Sequence, residues 1–79
     1  MRYVIYQIDN EYLERYMDEN NCPRNRVSLS FIRREGSKLF ETNDKDEFEN
    51  MMEFYWSRYT SNISSVVAYD TEDESYIEW

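Results

Sequence analysis

The chain has no histidine, and only one cysteine, one glycine, one proline and one alanine among its 79 residues. Each shortage removes a class of function. Without histidine there is no Ser–His or Cys–His nucleophilic system and no imidazole metal ligand. A single glycine cannot build a phosphate-cradling loop. The lone Cys22 forms no internal disulfide, which suits a reducing compartment, and before Pro23 it reads as a turn residue rather than a nucleophile. No apolar run approaches the roughly 20 residues of a membrane span. The stretch Met1–Asp9 alternates, and reaches an acid too soon for a signal peptide. A cytoplasmic location is therefore expected.

The chain is rich in large rings and in acid. Eight Tyr, four Phe and two Trp bring aromatics to 18%, within a hydrophobic fraction of 41%. That content is too high for a disordered chain. A chain of this length buries only roughly 60% of its unfolded surface, and bulky rings supply much of the area a thin core needs. One domain, residues 1–79, is expected. The net charge of −8 repels nucleic acid and anionic membranes and attracts basic surfaces. Direct nucleic-acid binding is disfavoured. A protein partner that itself has a basic nucleic-acid-binding surface is favoured.

Along the chain, residues 2–8 are β-branched and aromatic on both alternating faces, as in an interior strand. Asp9 or Asn10 then starts a short helix with the stripe Tyr12, Leu13, Tyr16 and Met17, stopped at Pro23. Residues 26–34 alternate, with Val27, Leu29 and Phe31 on one side and Ser28, Ser30, Ile32 and Arg34 on the other, which predicts a half-buried strand. Glu35-Gly36-Ser37 predicts a hairpin turn, and residues 38–42 a returning strand. After Asn43 or Asp44, with Glu47 three residues past Asp44, the stripe Phe48, Met51, Met52, Tyr55, Trp56 and Tyr59 predicts the strongest helix. Phe54 falls outside that stripe. Residues 64–70 read as another strand, residues 71–74 as a turn, and residues 75–79 as a last short strand. The expected fold class is α+β: a ferredoxin-like split β-α-β-β-α-β unit, with two helices on one face of an antiparallel sheet.

Two acidic runs invite a search for chemistry. Asp70, Glu72, Asp73 and Glu74 have some of the spacing of a calcium loop but lack its glycine and its final glutamate, so a solvated acidic turn is expected. Asp44, Asp46, Glu47 and Glu49 sit where acids satisfy free N–H groups at a helix start. No catalytic residue, metal or cofactor is expected.

The charge is unevenly placed. Residues 21–40 hold Arg24, Arg26, Arg33, Arg34 and Lys38 against Glu35 alone, a local charge of +4 that leaves −12 on the rest. Exposed ion pairs, at about 0–1 kcal/mol each, do not account for keeping so much repulsion. An acidic surface presented to a cationic groove does. The expected partner-binding residues are Asp44, Asp46, Glu49, Glu53 and Phe54 on the long helix, with Asp70, Glu72, Asp73, Glu74 and Tyr76 at the C-terminal turn. Tyr69 and Trp79 are further candidate anchors, with core or edge packing as the alternative reading of each.

In size, acidity, tyrosine content and lack of catalytic groups the chain resembles the small acidic inhibitors that viruses use against host nucleases, including anti-CRISPR and DNA-mimic proteins. It also resembles nuclease-immunity proteins. The scarcity of Gly, Pro and Ala beside seven Asn is of the kind found in compact viral genes. The resemblance implies a non-catalytic protein that occupies the nucleic-acid groove of a host defence nuclease or CRISPR effector. A small homodimeric structural or regulatory module, packing through an open sheet face, is the alternative. A third expectation comes from Tyr3-Val4-Ile5-Tyr6-Gln7-Ile8-Asp9, which resembles the opening of Cas2-type ferredoxin-like nucleases. There an aspartate ending the first strand would meet its copy over a metal.

Overall fold

The computed structural model describes every residue, Met1–Trp79. In chain order it holds β1 (Tyr3–Asp9), α1 (Asn10–Asn20), one 3-10 turn (Arg24–Arg26) and α2 (Leu29–Glu35). These are followed by β2 (Ser37–Thr42), α3 (Lys45–Tyr59), β3 (Ser64–Asp70) and β4 (Ser75–Tyr76). The four strands form one sheet in the order β2-β1-β3-β4, and every neighbouring pair is antiparallel.

The two apolar faces of β1 have the consequence expected of an interior strand. Val4, Tyr6 and Ile8 join Val67 and Tyr69 of β3 on one side, against Leu13 of α1 and Val27, Leu29, Phe31 and Ile32. Ile5 joins Val66 and Ala68 on the other side, against Phe48 and Met52 of α3. Because β3 is covered on both faces, all seven of its residues are buried. The molecule is thus three-layered, with helices on both faces of the sheet. This corrects the expected one-sided, split β-α-β-β-α-β arrangement: the order is β-α-α-β-α-β-β.

The difference arises at residues 26–34, which form the end of the 3-10 turn and α2 rather than a strand. The alternation of Val27, Leu29 and Phe31 is real, but Ile32 is fully buried beside Phe31. Two adjacent buried side chains disagree with one face of a strand, whereas Leu29 and Ile32 are one helical turn apart. Ser28 begins the helix, its Oγ accepting the Phe31 N–H at 3.3 Å. Gly36 is therefore not a hairpin residue but ends α2, its N–H donating to the Ile32 carbonyl at 2.7 Å. A Cβ there would stand 2.8 Å from the Ile32 carbonyl oxygen and 2.9 Å from that of Gln7. Close approach of two backbones, not a turn, requires the glycine.

The other elements follow local chemistry. Asp44 caps α3, its Oδ1 accepting the N–H groups of Asp46 at 2.8 Å and Glu47 at 3.1 Å, an arrangement that contributes about 1 kcal/mol. α1 ends at Asn21, in the left-handed region at φ 47°, a conformation asparagine tolerates. The expected strand at residues 75–79 is realised only at Ser75 and Tyr76, beyond which the Ile77 N–H still donates to the Ala68 carbonyl at 2.9 Å. No helix is long and apolar enough to cross a membrane.

Candidate functional site

The start of β1, the end of β3 and the start of α3 meet at one end of the sheet. The Arg2 N–H donates to Asn43 Oδ1 at 2.8 Å, and the Thr71 N–H donates to the Arg2 carbonyl at 2.7 Å. This brings the first turn of α3 and the β3–β4 turn, far apart in sequence, to the same end of the molecule. Asp44, Asp46, Glu49, Glu72, Asp73 and Glu74 are all exposed there.

Arg2 organises this end. Its Nε and Nη2 donate to the carboxylate of Asp70 at 3.1–3.3 Å, and its Nη1 lies 3.0 Å from Glu72. The Arg2 hydrogen bond holds the Asp70 carboxyl below its ordinary pKa, and the same bond raises the guanidinium. Asp70 is buried and also accepts the Glu72 N–H at 3.1 Å. Its carboxylate is committed to the fold, and Glu72 is the more available of the two acids.

The remaining expected contacts divide between surface and support. Asp46, Glu49 and Glu53 are exposed along α3. Their i, i+3, i+7 spacing sets them on one helical face. Asp73 and Glu74 form the tip of the β3–β4 turn, where Glu74 has a φ of 53°. Asp44 is exposed but its Oδ1 serves the helix cap. Phe54 is 43% exposed, with its edge on Tyr55 and the Arg58 guanidinium carbon 4.5 Å from its ring centre. Tyr76 packs on the opposite sheet face, perpendicular to Tyr69 at 5.6 Å, and its hydroxyl accepts from Arg24 Nε at 3.0 Å. It supports the fold. Trp79 lies edge-on to Phe48 at 6.5 Å, beside a groove of about 360 Å³ that Arg2, Glu49 and Asp70 also line.

The basic stretch 21–40 is not a hairpin, and its bases have separate fates. Arg24 turns inward to Tyr76, Ser65 and the Val66 carbonyl. Arg34 pairs with Glu35 and Lys38 with Glu41. Arg26 and Arg33 are exposed and make no ion pair. Across the molecule, five of the seventeen carboxylates take part in ion pairs, leaving twelve that do not.

A second acidic surface lies on α1, outside the expected set. Glu11, Glu14, Asp18 and Glu19 line a groove of about 660 Å³ with Asn62 and the 75% exposed Ile63. The i, i+3, i+7 spacing of Glu11, Glu14 and Asp18 is the signal that marks it in the sequence. Asn10 ties the two sides of the groove, donating from Nδ2 to the Ser61 carbonyl and accepting from the Ser65 hydroxyl. Asp9 is exposed at the end of β1 and its side chain caps nothing. No three acidic or thiol groups converge in a metal-binding arrangement. Comparison with protein families, curated proteins and solved structures finds no match for this chain.

Proposed function

We propose that the protein is a non-catalytic, acidic inhibitor. It occupies the cationic nucleic-acid groove of a host enzyme, a defence nuclease or CRISPR effector, in the host cytoplasm. Its action is of the anti-CRISPR or anti-restriction type. The observation that carries this reading is the excess of free carboxylate: twelve acids have no ion pair. Eight of them are Asp44, Asp46, Glu47, Glu49, Glu53, Asp73, Glu74 and Glu78, at the start of or along α3 or on the C-terminal segment. A fold under pressure only for stability gains nothing from such repulsion. A cationic groove that normally holds phosphates relieves it, and steered encounter makes association fast and salt-sensitive.

Within this reading Asp46, Glu49 and Glu53 stand in for a row of phosphates, and Glu72, Asp73 and Glu74 for a second row. Phe54, beside Glu53, supplies a partly exposed ring for an arginine of the groove. Asp70 and Tyr76 hold the turn in place from beneath.

The test is competition. Labelled nucleic acid bound to a panel of CRISPR effectors and restriction nucleases is titrated with the protein at about 50 mM and about 300 mM salt. Displacement that weakens with salt, and that is lost when Glu72, Asp73 and Glu74 are all changed to lysine, supports the proposal. Displacement from no member of the panel at low salt, or affinity unchanged by the charge reversal, overturns it.

A further inference from the structure

We propose that β2 is a self-pairing edge, through which two copies of the chain join their sheets about a two-fold axis. The inference does not rest on the partner proposed above.

β2 is the open edge of the sheet and pairs only with β1. The opposite edge is closed differently: β4 covers the end of β3, and farther along Arg24 Nη2 donates to the Val66 carbonyl at 3.0 Å. On β2 only the Leu39 carbonyl is capped, by the Tyr55 hydroxyl at 3.3 Å, and no strand pairs along its outer side. A strand of six residues with no strand partner on its outer side is a template for another strand.

The order of residues on β2 makes its complement a copy of itself. Turned about a two-fold between Leu39 and Phe40, Ser37 meets Thr42, Lys38 meets Glu41 and Leu39 meets Phe40 of the second copy. Polar meets polar, base meets acid and apolar meets apolar, each twice by symmetry. Such a pairing works only if the partners project to the same face, and an ordinary strand would alternate them. The β-bulge provides the match. The register shifts between Ile5 and Tyr6, so that Phe40 lies opposite Ile5, Lys38 opposite Tyr6, and Leu39 is the extra residue. Leu39 and Phe40 therefore both pack on the α3 side. Lys38 and Glu41 lie opposite Tyr6 and Val4, whose side chains fill the other core. Within one copy Lys38 and Glu41 already touch at 3.3 Å, an exposed contact on that shared face and free to exchange for the intermolecular one.

The flanking surface fits the same occupant. Phe40 meets Tyr55 at a tilt with ring centres 6.4 Å apart, and Tyr55 meets Tyr59 at a tilt at 5.7 Å and Phe54 edge-on at 5.3 Å. The exposed rings Phe54 and Tyr59 thus belong to the aromatic cluster that borders β2. A second copy placed by the strand pairing brings its own rings along the same face, adding apolar area to a short strand contact.

Light scattering or sedimentation of the wild-type chain is expected to show mass rising towards the dimer by about 1 mM chain. The rise should strengthen with salt, because each copy carries a charge of −8. Groove binding has the opposite salt dependence, so failure of one proposal is distinguishable from failure of the other. Lys38→Glu and Glu41→Lys each create two like-charged pairs across the axis and should weaken the dimer about tenfold. An equimolar mixture of the two variants should dimerise, since the acidic strand of one then meets the basic strand of the other. The contact within each copy cannot produce that rescue. A wild-type chain monomeric at about 1 mM, variants that dimerise like wild type, or a mixture that stays monomeric would each overturn the proposal.

Discussion

Arg2 and Asp70, almost the full chain length apart, form a forked ion pair with Nε and Nη2 on the two carboxylate oxygens at 3.1–3.3 Å. The pair ties the beginning of β1 to the end of β3, where the acidic turn begins. Because Arg2 lowers the Asp70 pKa, the folded state prefers the ionised carboxyl more than the unfolded chain does. The contribution is complete above the ordinary carboxylate range, about pH 4, and fades as pH falls through the lower folded value. Asp70→Asn should therefore lower the melting temperature at pH 7 and shrink that deficit in acid. A pH series of thermal melts checks it, and a constant deficit would contradict it.

Tyr69 is buried and donates its hydroxyl to the Val27 carbonyl at 2.6 Å. Tyr69→Phe leaves that carbonyl unpaired and should cost about 1–3 kcal/mol in denaturant unfolding at neutral pH. Burial also pushes the phenol pKa up, so folding disfavours the phenolate. The resulting stability is full below the ordinary tyrosine pKa, about 10, and declines as pH rises past it. The variant should lose less stability than wild type between neutral and strongly alkaline pH.

Gly36 has backbone oxygens of Ile32 and Gln7 where a side chain would begin. Gly36→Ala must separate α2 from β1, and should cost about 2 kcal/mol or more. A helix-propensity argument predicts the reverse sign, since alanine is the better helix residue. Chemical denaturation of the single variant separates the two.

Arg24 holds β3 and β4 together from the 3-10 turn by bonds to Tyr76 and the Val66 carbonyl. Arg24→Met keeps much of the stem but none of the donors. It should cost about 1–3 kcal/mol. It should also speed hydrogen exchange at the Ile77 N–H, which bonds Ala68 beyond the last strand pair. Faster exchange there, with β1 amides protected, marks local release of the C-terminal segment.

The acidic site was partly legible in the chain. Asp44 before Glu47 announces a helix start, and the exposure of Asp46, Glu49, Glu53 and Phe54 follows from helical periodicity. The pairing of Asp70 with Arg2 was not legible, because a contact across 68 positions depends on which strands become neighbours. Nor was the inward turn of Arg24, which counted as surface charge until its partners on β3 and β4 were in place.

Local chemistry alone decides β1, β2, α1, α3 and β3, since two-sided or one-sided apolar patterns and caps such as Asp44 act within a few residues. Residues 27–32 carry two compatible patterns, and only the core chooses between them. With α3 covering one face of the sheet, Val4, Tyr6 and Tyr69 on the other face need apolar cover. A helix delivers Leu29, Phe31 and Ile32 there together, where a strand would turn Ile32 away. That choice makes the molecule three-layered, covers both sheet faces, and leaves the β2 edge open.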